Sequence, residues 1–179
     1  MQQGRAPEGK SLKAKGPEAR QLRGGRPDRE AQRPPVHHRG SGAVRRHARE
    51  IVVKTLYEAD LGGLTRAEAE ERIRRKLRRP DECDFALGLV ALTFENIEQI
   101  DRIIARVAEN WDPARMAAMD RNVIRLGVAE ILFGDVPVKV AINEAIEVAK
   151  RFSTENSGGF VNGILDRVAR IKNEIRGNI

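Results

Sequence analysis

From Val44 to Ile171, apolar side chains recur every three to four residues, and only Gly and Pro interrupt this rhythm. Val44, Ala48, Ile51, Val52, Thr55, Leu56 and Ala59 keep the i, i+4, i+7, i+8 spacing of an amphipathic helix. A sheet would instead need short runs that alternate apolar and polar, rich in Val, Thr, Tyr and Phe. No such run occurs, and aromatic residues make up only 4% of the chain. The pattern predicts an all-α bundle of about seven helices joined by short loops.

Breaker residues place the ends of these helices. Gly62-Gly63 closes the first. Thr65-Arg66-Ala67-Glu68 has capping-box spacing and starts a second, very charged helix, which Pro80 stops. Asp81 is positioned to cap a third, with Phe85, Leu89 and Leu92 on one face, and a fourth runs from about Asn96 to Val107. Asp112-Pro113 opens a short turn. A long apolar helix follows over about 119–133, with Gly134 and Pro137 after it. Two more helices are expected over about 140–152 and 159–171, the last capped by Asn156 or Ser157. Val140, Ile142, Ile146 and Val148 read as core, and Trp111 as packing between two halves of the fold.

The first 42 residues have a different character. They hold five of the eight prolines, seven of the sixteen glycines, ten Lys and Arg, and four Asp and Glu. With Met1, Leu12, Leu22 and Val36 as their only bulky apolar residues, they cannot bury enough surface to offset ordering entropy. We read 1–42 as a disordered basic leader and 43–179 as the folded domain. The leader is either a solvated extension or a nonspecific electrostatic arm for RNA. Of the chain's net charge of +7, the leader carries +6, so the folded part is nearly neutral. Any basic surface on it must be a local patch.

Catalytic chemistry is hard to build from this residue set. Two of the three histidines, His37 and His38, fall in the leader, and His47 has no Cys or His at helical spacing to make a metal site. Cys83 is the only cysteine and reads better as a small buried apolar residue than as a nucleophile. No phosphate-binding or dinucleotide loop occurs, and Gly158-Gly159 is not a phosphate cradle. The expectation is a binding protein without cofactor or metal. A single cysteine, no apolar stretch near the ~20 residues of a membrane span and no signal-like segment point to the cytoplasm, with no membrane partner.

Two segments carry recognition chemistry. Arg45-Arg46-His47-Ala48-Arg49 opens the first helix, with Arg45 and Arg49 on one face and Arg46 about 100° round. Three guanidiniums there are expected to form a compact cationic patch for a phosphate backbone, although an ordinary solvated face reads equally well. In the second segment, Phe152 to Gly163, Phe160 sits in the first turn of the last helix. It could stack on an unpaired base, although spacing alone favours the core.

Arg45-Arg46-His47-Ala48-Arg49-Glu50 with Leu56-Tyr57, Asp120-Arg121-Asn122-Val123-Ile124-Arg125-Leu126, Val136 to Lys150 and Phe160-Val161-Asn162-Gly163-Ile164-Leu165-Asp166 together resemble the NusB family of transcription antitermination factors. The resemblance covers about 43–170. Ile142-Asn143-Glu144-Ala145 and Phe160-Val161-Asn162-Gly163, in this order and spacing, are its most specific strings. It implies two stacked three-helix bundles. It implies binding to the boxA element of nascent ribosomal RNA leaders jointly with the ribosomal protein NusE, within a complex that lets RNA polymerase read through terminators. By position it assigns RNA contact to Arg45, Arg46, Arg49, Phe160 and, less directly, Asn156. It makes Tyr57 and Asp120 candidates for the NusE-facing side, where a half-buried tyrosine and a helix cap are the plainer readings. Two departures weaken the match: His47 stands where a third consecutive arginine can occur, and Gly158-Gly159 replaces a loop that often carries a basic residue.

Two other readings remain open. One is an RNA-binding module of the kind found at the front of ribosomal RNA cytosine methyltransferases, against which the chain's end at Ile179 argues. The other is a homodimer that hides its arginine patch.

Overall fold

The computed structural model describes residues 42–108 and 116–172. They form seven helices and no strand: α1 (Gly42–Gly62), α2 (Arg66–Lys76), α3 (Pro80–Glu95), α4 (Ile97–Val107), α5 (Ala118–Leu132), α6 (Val138–Phe152) and α7 (Ser157–Arg170). The expected leader up to Ser41, the Asp112-Pro113 turn and Trp111 lie outside the described residues.

Local chemistry sets the helix ends. Gly63 adopts φ 66° just past α1, a conformation that suits a residue without Cβ. Thr65 and Glu68 make the expected capping box: the Thr65 hydroxyl accepts from Glu68 N–H, and the Glu68 carboxylate accepts Thr65 N–H at 2.8 Å. α2 ends at Lys76, earlier than the Pro80 stop requires, because Leu77 turns extended and buries its side chain. α3 begins at Pro80 with no side-chain cap, so Asp81 sits inside its first turn rather than capping it. α6 begins two residues earlier than expected, directly after Pro137. That start leaves Val140 44% exposed rather than in the core, whereas Ile142 and Val148 are buried.

Helices α1, α2 and α3 pack pairwise into one three-helix bundle, and α5, α6 and α7 into another, with α4 against α5 and α7. α1 and α3 both lie on α5, which stacks the two bundles. α5 is therefore buried nearly all round, from Val123 and Ile124 to Ile131 and Leu132. Gly127 permits this packing, since a Cβ there would lie 2.7 Å from Leu165 Cδ1 on α7. At the far end of α1, Asp60 accepts from Arg121, Asn122 and Arg125 of α5, and Arg125 also pairs with Asp101 of α4. This network ties three helices together around one carboxylate.

Candidate nucleic-acid interface

The start of α1 is held between α3 on one side and α5 and α6 on the other. Arg45 and Arg49 do share a face: their guanidinium carbons lie 5.4 and 5.2 Å from the centre of the Phe85 ring of α3. Such contacts contribute roughly 0.5–2 kcal/mol, most where solvent is excluded. Arg45 is half-buried, and Arg46 and His47 are exposed. His47 Nδ1 lies 2.6 Å from the buried carboxylate of Glu82.

Arg49 does not belong to an exposed patch. It is only 3% exposed, and its Nε and Nη2 make a forked contact with Glu130 of α5 at 2.7–3.1 Å. The expectation of three surface guanidiniums is thus corrected to two. Arg49 lies one turn deeper than Arg45, where α1 crosses α5. Glu130 is itself 1% exposed and requires a counter-charge there.

Arg46 donates through Nε and Nη2 to both oxygens of Glu144 on α6, at 3.0 and 2.8 Å. The hydrogen bond to Glu144, then its charge, raises the Arg46 pKa above its ordinary value. A guanidinium has five N–H donors. Arg46 therefore keeps donors for a phosphate while Glu144 fixes its direction.

This pair begins a seam in which α1 and α6 run parallel. Arg46 meets Glu144, Glu50 accepts from Arg151 at 2.6 Å, and Lys54 Nζ lies 4.3 Å over the Phe152 ring. Arg151 stands over the same ring at 5.4 Å. The carboxylates of Glu50 and Glu144 are largely covered, while the side chains of Arg46 and Arg151 are 45% and 64% exposed. The seam thus presents cations outward. Its last residue, Phe152, leads into the loop that carries Asn156, and Phe160 follows in the first turn of α7. Sequence reasoning missed Lys54 and Arg151, and took Phe152 only as the start of the second recognition segment. The available signal was the four-residue spacing of 46, 50 and 54 on α1, set against charged residues 144, 147 and 151 at spacings of three and four on α6.

Asn156 is exposed at the start of α7 and its side chain makes no cap bond, so the expected Asn156 cap is absent. Phe160 is half-buried and packed against the core. Lys150 of α6 lies across Gly158, its Cγ 3.3 Å from where a Cβ would stand. A basic side chain therefore reaches the first turn of α7 although the loop itself has none.

Tyr57 is half-buried on α1. Asp120 is 8% exposed in the first turn of α5, and it neither caps that helix nor stands free on the surface. Its Oδ2 accepts the Ser157 hydroxyl at 3.0 Å, while its Oδ1 is buried with no hydrogen-bond partner. Among the described residues, no group of three or more His, Cys, Asp or Glu could hold a metal ion, and no helix is long and apolar enough to cross a membrane.

Residues 46–170 match the model of the NusB family. The chain belongs to the NusB family. The transcription antitermination protein NusB of Pelotomaculum thermopropionicum is 42% identical over 136 residues, which cover 74% of this chain and 93% of that one. The solved structure of NusB from T. maritima is 39% identical with a TM-score of 0.63, covering 73% of this chain and 96% of that one. A NusB-family chain in the crystal structure of the antitermination factors NusB and NusE in complex with double-stranded RNA is 30% identical with a TM-score of 0.66. That match covers 72% of this chain and 98% of the other. The two stacked bundles are the fold that this family membership implies.

Proposed function

We propose that this chain is a cytoplasmic transcription antitermination factor. It binds boxA RNA of nascent ribosomal RNA leaders together with the ribosomal protein NusE, and so joins an antitermination complex on RNA polymerase. It acts by binding and carries out no catalysis. The observation that carries this reading is the family match over 46–170, which includes Arg46 and Arg49 of α1 and the start of α7. The similar chain crystallised with NusE and double-stranded RNA supports both partners.

On this reading Arg45 and Arg46 contact phosphate, and Asn156 and the half-buried ring of Phe160 meet a base. A base stacked on an aromatic ring contributes about 1–3 kcal/mol. Arg49 acts one step removed: bound to Glu130 and resting on Phe85, it holds α1 at the angle that presents Arg45 and Arg46. Tyr57 and Asp120 mark the side that receives the protein partner.

The test is a titration of labelled boxA RNA, and of a scrambled RNA of equal length, with and without NusE. Tighter binding of boxA that NusE strengthens further is expected. Equal affinity for the two sequences in the presence of NusE would sink the reading.

A further inference from the structure

We propose that the Asp120–Ser157 hydrogen bond couples the protein-partner side of the molecule to the RNA-contacting loop. This inference rests on the functional reading above and adds to it a mechanism of mutual reinforcement. Asp120 stands in the first turn of α5, and Ser157 is the first residue of α7, 37 positions away in the chain. Both are at least nine-tenths buried.

The chemistry at Ser157 fixes the direction of the chain of bonds. A carboxylate only accepts, so the single hydroxyl proton of Ser157 goes to Asp120 Oδ2. The Ser157 oxygen then accepts the Thr154 backbone N–H at 3.1 Å, and the hydroxyls of Ser153 and Thr154 stand 3.0 and 2.8 Å from it. One side chain thus organises residues 153–157, which include Asn156 and lead into the first turn of α7 that carries Phe160. At the other end, Asp120 keeps one buried oxygen without a donor. Native structures rarely leave such a group unsatisfied, and the cost of doing so falls when a donor arrives.

Because Oδ1 is enclosed in the isolated chain, docking of the protein partner must shift the first turn of α5 so that a cationic or N–H donor reaches it, and that contact fixes the Asp120 carboxylate in one orientation. That orientation holds the Ser157 hydroxyl and, through it, the loop. The loop is then already ordered when RNA binds, so RNA loses less freedom on docking. By thermodynamic reciprocity, RNA bound at the loop must strengthen the partner to the same degree. Asp120 and Ser157 are positioning residues here, and neither needs to touch RNA.

The experiment measures boxA RNA affinity with and without saturating NusE for the full chain and for Ser157→Ala, Asp120→Asn and Thr93→Ala. Thr93 is a control: its buried hydroxyl bonds the Leu89 carbonyl at 2.8 Å, far from the loop in sequence and on another helix. In the wild-type chain, NusE is expected to tighten RNA binding by at least about five-fold, the low end of common coupling factors. Ser157→Ala and Asp120→Asn should reduce that enhancement to less than about two-fold, while Thr93→Ala keeps it even if it melts earlier. A loop that is merely weakened would lose RNA affinity equally with and without NusE, which would overturn the coupling. So would full enhancement in Ser157→Ala, or wild-type binding of both partners with no enhancement. If wild-type chain binds neither partner, the functional reading falls and takes this inference with it.

Discussion

Replacing Arg49 should damage the fold, whereas replacing Arg46 three residues earlier should barely affect it. The Arg49 side chain is 4% exposed and the Glu130 side chain 2% exposed, and they share three contacts of 2.7–3.1 Å. Arg49→Ala leaves Glu130 as a charge buried in the most enclosed helix, with Glu144 a further 4.0 Å from the vacated Nη1 position. Removing one partner of a buried pair costs about 3–5 kcal/mol. The stacking of Arg49 on Phe85 disappears as well and adds to this. For a domain of this size, each kcal/mol lowers Tm by roughly 3–4 °C, which gives a drop of about 10–20 °C. Arg46→Ala breaks a pair whose arginine is 45% exposed and should cost at most about 1 kcal/mol. Urea denaturation followed by circular dichroism measures both. The double variant Arg49→Met with Glu130→Leu should recover most of the stability, because an apolar pair of similar volume needs no counter-charge. A cost below about 1 kcal/mol in Arg49→Ala, or no recovery in the double variant, would refute the assignment of Arg49 to the interior.

Burial pushes the Asp60 carboxyl up, but hydrogen bonds from Arg125, Arg121 and Asn122 and the charge of Arg125 outweigh it and hold the pKa below the ordinary carboxylate value. A depressed carboxylate contributes stability that is present above its unfolded pKa and lost as pH falls through its folded one. Asp60→Asn should therefore be less stable than wild type at pH 7 by about 1.5–3 kcal/mol, the range for a hydrogen bond to a charged group. Urea melts should show that gap closing as pH drops below about 4, and a gap independent of pH would contradict the network. Burial, followed by the charge of Asp84, pushes the Cys83 thiol above its ordinary pKa. Iodoacetamide at pH 8 should label it more slowly than free cysteine, and equal or faster labelling would show an accessible thiolate.

The helices were legible because each carries its own local signals. Gly62-Gly63 and the Thr65–Glu68 box set two ends from neighbouring residues alone. The Arg45–Arg49 spacing likewise showed that the two arginines share a face. It did not show whether that face meets water or α5, because the answer depends on Glu130, 81 positions away. A lone carboxylate within the apolar run of α5 was the available warning, since such a group must find a cation. The α1–α6 seam was hidden for the same reason: its pairs lie 98 and 101 positions apart. Asp120 was read as a surface or capping group, and only its hydrogen bond with Ser157 shows that it anchors α7. Val140 failed through register, because α6 starts at Val138 and turns that side chain outward.

The salt dependence of boxA RNA binding, compared between the full chain and Arg45→Ala/Arg46→Ala in the presence of NusE, tests the central claim most directly. Removing one phosphate-binding cation should flatten the slope of log affinity against log salt by about 0.7 for single-stranded RNA. Removing both should thus reduce the slope by roughly 1.4, with the fold's melting transition intact. An unchanged slope in a correctly folded double variant would show that RNA does not dock at the start of α1.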